Sequence, residues 1–195
     1  KGYAEVLEPL VSSDDVDAIT ARYWLARALV QVNPGSPSGA RAGERAASLF
    51  RALGDERSVA LSLCCIGVCQ VYSVAQWSAT QAEMDSLAPE AWPARAKVWR
   101  FLAEAAMRIA QERFDEALSV AEAGLVFARS NGLVYPMAFL TRYTIIAELA
   151  LGRLDNALRR SREEIDAECR WRSRALEFTL GTHAEVLTRQ GRCAE

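Results

Sequence analysis

Five cysteines, at 64, 65, 69, 169 and 193, and one histidine, His183, are the side chains of this sequence best suited to chemistry. Cys64, Cys65 and Cys69 share an apolar stretch, and Cys65 and Cys69, four apart, fall on one face of a helix. A metal or redox site would need further Cys or His ligands at suitable spacing, and His183 is far off in sequence. The expected alternative is small, buried, reduced hydrophobes of a cytoplasmic protein. A catalytic dyad would have to be built on His183, and the sequence sets no Ser or Cys beside it. No acid–base pair, nucleophile–base pair or metal set assembles, so the expectation is a non-enzyme with no catalytic residue, metal or cofactor.

Two loops could be mistaken for phosphate chemistry. Asp14-Asp15-Val16-Asp17 has the acids of a magnesium–diphosphate cluster but the wrong spacing and no second acidic group, so Ser12-Ser13-Asp14-Asp15 is read as a helix start. Asn33-Pro34-Gly35-Ser36-Pro37-Ser38-Gly39 is rich in breakers. No Gly-Lys-Ser/Thr follows it, and without the lysine and hydroxyl it is not a phosphate loop.

The elements that would carry any site come from a repeat. Ala110–Leu118 and Ala150–Leu158 align at an offset of 40, sharing Ala110/Ala150, Arg113/Arg153, Asp115/Asp155, Ala117/Ala157 and Leu118/Leu158, with Phe114 opposite Leu154. Gly191-Arg192-Cys193 starts a third copy. A fixed period of this size means units that bury their apolar faces against one another. Helical spacing predicts elements over 40–53, 56–72, 93–111, 114–130, 133–151, 154–168 and 171–190. A helix follows Ser12–Asp15 with Val16, Ile19, Tyr23, Ala26 and Val30 at helical spacing, a short one is capped by Ser78, and an incomplete one spans 2–11. Turns of two or three residues make neighbours antiparallel. The fold expected is all-α: an α-α superhelix of antiparallel helix pairs, about nine helices without a strand. It reads as a single helical-repeat domain over 1–195, excised from a longer chain, with repeats at 93–130, 133–168 and 171–195.

A helix that reaches Ala-x-Gly-Arg-Leu-Asp-x-Ala-Leu and turns straight into a second helix resembles the tetratricopeptide repeat. The matching positions are Ala150, Gly152, Arg153, Leu154, Asp155, Ala157 and Leu158, and in part Ala110, Phe114, Ala117 and Leu118, where Glu112 replaces the turn glycine. The match covers Pro93–Glu195; the Trp-x-x-Leu-Gly opening is missing and the period exceeds 34. The longer period, and Ala46–Arg57, are similar to the sensor regions of large bacterial ATP-binding transcriptional regulators of the maltose-regulon-activator type. That resemblance implies a tetratricopeptide-like solenoid in a cytoplasmic signal-transduction protein, binding a protein, peptide or small effector on its concave face and docking on neighbouring domains of the same polypeptide.

Stepping by the repeat offset puts Trp99, Phe139 and Phe178 at equivalent positions of successive first helices, with Arg142 and Tyr143 one turn beyond Phe139. An aromatic ladder beside an arginine suits an extended peptide or a molecule with an anionic group. The alternative is that these rings are core between repeats. Arg159, Arg160 and Arg162, with Arg170-Trp171-Arg172 and Arg174, invite a nucleic-acid reading. Glu163, Glu164, Asp166 and Glu168 interleave with them, which reads better as a paired, solvated face. With 23 basic and 25 acidic residues, no bias toward nucleic acid or membrane is expected. Truncated terminal repeats leave a homodimer open. A constitutive protein–protein interaction scaffold, or a helical accessory domain of an enzyme whose active site lies elsewhere, remain the other functional readings.

Overall fold

Three consecutive helices, Ala94–Ala110, Phe114–Ser130 and Val134–Ala150, are each 17 residues long and are joined by turns of three residues. That metre is the physical origin of the 40-residue period: one repeat is two such helices and two such turns. In this computed structural model, residues 16–87, 92–171 and 176–192 are described, with the side chains of 168, 170, 171 and 176–178 left aside. The described residues form nine helices and no strand: α1 Ala18–Gln31, α2 Pro37–Ala52, α3 Glu56–Cys69, α4 Val74–Ser86, α5 Ala94–Ala110, α6 Phe114–Ser130, α7 Val134–Ala150, α8 Leu154–Trp171 and α9 Leu176–Arg189.

The chain divides after Ala103, inside α5, into two compact units. In the first, α1 packs on α2, α2 on α3 and α3 on α4, and α1 also touches α3. In the second, α6, α7, α8 and α9 pack in sequence, and α7 also touches α9. Neighbours run antiparallel, with first helices of successive pairs meeting, as a helical repeat array requires. No described helix is long and apolar enough to cross a membrane.

The same C-terminal turn closes α2, α5, α6, α7 and α9. In each, an N–H two residues past the cap reaches back to a carbonyl of the last turn: Asp55 to Phe50, Arg113 to Arg108, Leu133 to Ala128, Arg153 to Glu148 and Arg192 to Leu187, all at 2.8–2.9 Å. This geometry needs one residue with left-handed backbone, and glycine tolerates it best. Gly152 supplies it at φ 71°, whereas Glu112, at the matching place of the preceding repeat, is held at φ 59°. Glu112→Gly is therefore expected to stabilise the fold by about 1 kcal/mol. Gly152→Ala, whose new Cβ would meet no atom within 4 Å, should lose about 1–2 kcal/mol from backbone strain alone. Urea unfolding of the two variants reads both signs.

The first unit departs from the sequence reading in several places. The described part of α1 starts at Ala18, capped by Asp17, whose carboxylate accepts from the N–H groups of Ile19 at 2.7 Å and Thr20 at 2.8 Å. Those hydrogen bonds, Thr20's foremost, hold the Asp17 carboxyl below its ordinary pKa. Residues 2–15, with the expected incomplete helix and Ser12–Asp15 cap, lie outside the described residues. The buried face of α1 is Thr20, Ala21, Tyr23 and Ala28, so Val16, Ile19 and Val30 face solvent. The breaker-rich loop ends at Ser36, which caps Gly39, and Pro37 opens α2 because its missing N–H is no loss there. Leu53, the apolar residue just past the end of that helix, is 41% exposed. Ser73, not Ser78, stands at the start of α4. In the second unit, Trp171 ends α8 rather than opening α9.

Close packing in the first unit depends on small residues of α3. A Cβ on Gly67 would sit 2.8 Å from the Trp77 ring and 3.4 Å from the Ala103 methyl. Ala60 and Cys64 are fully buried alongside. The Cys64 thiol lies 3.8 Å from Met84 Sδ and 3.5 Å from the Ala96 carbonyl.

Candidate functional site

The sequence-derived ladder separates into different environments. Trp99 is 1% exposed, between Val98 and Leu102, which are equally buried, and belongs to the interior of the first unit. It offers no ring surface to a ligand and takes the alternative role of core. Phe139, Arg142 and Tyr143 all lie on α7, in the second unit. Tyr143 is buried at 7%, while Phe139 and Arg142 are half-buried. Phe178 is in α9, and its side chain lies outside the described residues.

The strip on α7 gains a member that the offset did not reveal. Tyr135, 52% exposed, meets Phe139 edge to face, with ring centroids 5.3 Å apart. Tyr135, Phe139 and Tyr143 recur every four residues and so follow one helix face. Val134, 53% exposed, extends the apolar surface at its open end. The i−4 spacing of Tyr135 from Phe139 was the available signal. An edge-to-face aromatic pair beside an arginine is suited to an apolar side chain or flat ring with an anionic group attached.

Behind this strip, α7 carries a buried charge. Glu148 is 2% exposed, and its Oε1 accepts from Arg160 Nε at 2.8 Å. Its Oε2 is shielded from solvent and has no hydrogen-bond donor. Arg160, on α8, also donates to Glu122 of α6 through Nη2. Arg153 reaches Asp115 of α6 at 2.9 Å, so both arginines clamp successive second helices with a 38-residue step. Arg159 pairs with Glu163 one turn on, at 3.0 Å. Arg159 and Arg160 thus spend their charge on glutamates of this chain. The side chains of Arg170, Arg172 and Arg174 lie outside the described residues.

The tertiary structure does bring a serine to the single histidine. Ser161 Oγ and His183 Nδ1 are 2.8 Å apart, across α8 and α9. Yet Ser161 is fully buried and its hydroxyl donates to the Leu158 carbonyl at 2.9 Å. The hydroxyl oxygen therefore accepts the imidazole Nδ1–H, which locks the ring and leaves the serine proton on the backbone. Partial burial, with Arg162 and Arg192 nearby, pushes the His183 pKa down. This pair ties two helices together.

The cysteine triplet is core. Cys64, Cys65 and Cys69 are buried, and burial pushes the Cys65 and Cys69 thiols above their ordinary pKa. Among the described residues, no three His, Cys, Asp or Glu side chains are grouped to hold a metal ion.

A second surface, which the sequence reading missed, lies between α1 and α2. A groove of about 580 Å³ is lined by Trp24, Arg27, Gln31, Ser38, Arg41, Ala42 and Arg45. Its legible signal was a tryptophan and an arginine one turn apart on α1, facing arginines spaced by four on α2. No protein-family model, curated protein or solved structure matches this chain.

Proposed function

We propose that this chain is a non-catalytic binding module, the helical-repeat part of a bacterial signal-responsive transcriptional regulator, taking a peptide or small effector on the α7 face. The observation that carries the reading is the edge-to-face pair of exposed Tyr135 and half-buried Phe139, with Arg142 on the same helix. The repeated three-residue turns support it from the side of architecture, because stacked pairs present their first helices as one surface. Binding there would alter how the module docks on its neighbours, which is where a signal would be coupled.

Two measurements test it together. The reading frame on either side of Lys1 and Glu195 should encode a Gly-x-x-x-x-Gly-Lys-Ser/Thr loop and a helix-turn-helix segment; finding neither sinks the regulator reading. A thermal-shift screen of peptides and small anions should find a ligand that stabilises the chain, by about 2.7 kcal/mol at a hundredfold excess over Kd. Phe139→Ser and Tyr135→Ser should each remove that shift. A ligand whose shift survives both substitutions binds elsewhere and overturns the α7 assignment.

A further inference from the structure

Another cavity of the first unit, about 440 Å³, lies between the start of α2 and the turn from α3 to α4. From α2 it is lined by a base and an acid one turn apart, Arg41 and Glu44, both exposed. Opposite charges at this spacing on a helix can pair. Among the described residues, however, neither side chain is held in an ion pair or a hydrogen bond. Cys69, Gln70, Tyr72 and Gln76 line the cavity from α3, the turn and α4. Tyr72 is 74% exposed, yet its ring is seated over Gly35, where a Cβ would lie 2.7 Å from Cδ2 and 2.9 Å from Cε2. The Gly35 N–H donates to the Cys69 carbonyl at 3.0 Å, which fixes that glycine against the end of α3. Gln70 is oriented as well: its Oε1 accepts from the Thr80 hydroxyl at 2.6 Å, so its NH₂ is the group left to donate.

We propose that this cavity binds a free amino acid with an aromatic side chain: carboxylate on Arg41, ammonium on Glu44 and ring against Tyr72. An anion alone would be repelled by Glu44 and a cation alone by Arg41, whereas a zwitterion satisfies both. The planar guanidinium suits a carboxylate, and the Gln70 NH₂ offers it a further donor. A ring set on Tyr72 takes from water an aromatic surface that is otherwise exposed. The glycine seat and the Thr80 hydrogen bond hold ring and amide in place beforehand, so less ordering opposes binding. A volume of about 440 Å³ falls within the range of small-molecule sites. The site lies wholly in the first unit and stands independently of the α7 face.

The test is isothermal titration of the whole 195-residue chain at low salt with four probes. L-Phenylalanine should bind saturably. 3-Phenylpropionate, which lacks the ammonium, 2-phenylethylamine, which lacks the carboxylate, and L-alanine, which lacks the ring, should each bind about tenfold more weakly. Arg41→Gln should weaken phenylalanine about tenfold without weakening 2-phenylethylamine. Glu44→Gln should weaken phenylalanine about tenfold without weakening 3-phenylpropionate. Both positions are exposed; should either variant lose its cooperative melt, the other carries the test, with Tyr72→Ser, expected to bring phenylalanine down to the affinity of alanine, as a third. The proposal is overturned by the absence of saturable phenylalanine heat, or by any of the other three probes matching phenylalanine. Wild-type phenylalanine affinity in a folded Arg41→Gln, Glu44→Gln or Tyr72→Ser variant overturns it equally.

Discussion

Trp99→Ala is expected to destabilise the chain by about 3–5 kcal/mol, the cost of removing a large ring from a filled interior. The ring is 1% exposed, and the α5 residues around it, Val98, Leu102 and Ala103, are no more exposed. A loss of this size is a large fraction of the stability of an ordinary domain. Urea unfolding would register it as a shift in midpoint, with Trp99→Phe as the milder companion that keeps much of the volume. A solvent-facing binding tryptophan behaves differently, since surface substitutions stay within about 0.5 kcal/mol. A Trp99→Ala chain with wild-type stability would return Trp99 to the list of ligand contacts.

Arg160→Ala should be comparably severe. The substitution leaves the Glu148 carboxylate buried without its counter-charge, and breaking such a pair from one side costs about 3–5 kcal/mol. Glu148→Gln is the informative contrast. The amide oxygen still accepts from Arg160 Nε, no buried charge remains, and the unpartnered Oε2 is replaced by an NH₂, so the loss should be far smaller. Burial is the largest influence on Glu148 and raises its pKa above 4.5, with Arg160 only partly offsetting it. The folded chain therefore holds this proton more tightly than the unfolded chain. Stability contributed by Glu148 rises as pH falls through the raised value and levels off below about 4.5. Glu148→Gln should remove that component of the pH profile. Equal damage from Glu148→Gln and Arg160→Ala would show that the cost is lost packing, not a stranded charge.

The helical-pair architecture was legible because it is written locally. Arg-x-Asp-x-Ala-Leu after a three-residue turn recurs at 40 residues, and Phe114–Ser130 begins and ends where its apolar spacing and Asn131-Gly132 place the boundaries. Glu112 stands where the matching turn has Gly152, and its positive φ is the consequence. Boundaries were less legible where two signals compete, as at Pro37, which reads both as a loop residue and as the first residue of a helix. Which face of α1 is buried was not legible either. Val16, Ile19 and Val30 are more apolar than Thr20, but packing against α2 and α3 selects the Ala21 and Ala28 side.

By itself, then, the sequence determined the helices, their turns and the pairing of neighbours, because those depend on residues within one or two turns of each other. The tertiary structure alone decided what each conspicuous side chain does. Trp99 and Phe139 occupy equivalent places in the 40-residue period, yet one is core and the other half-exposed. Ser161 and His183 meet across 22 residues, and Arg160 finds Glu122 across 38. Periodicity carries the axial position of a residue, whereas burial and partnership depend on which neighbouring helix covers it, and that is a property of the packed array.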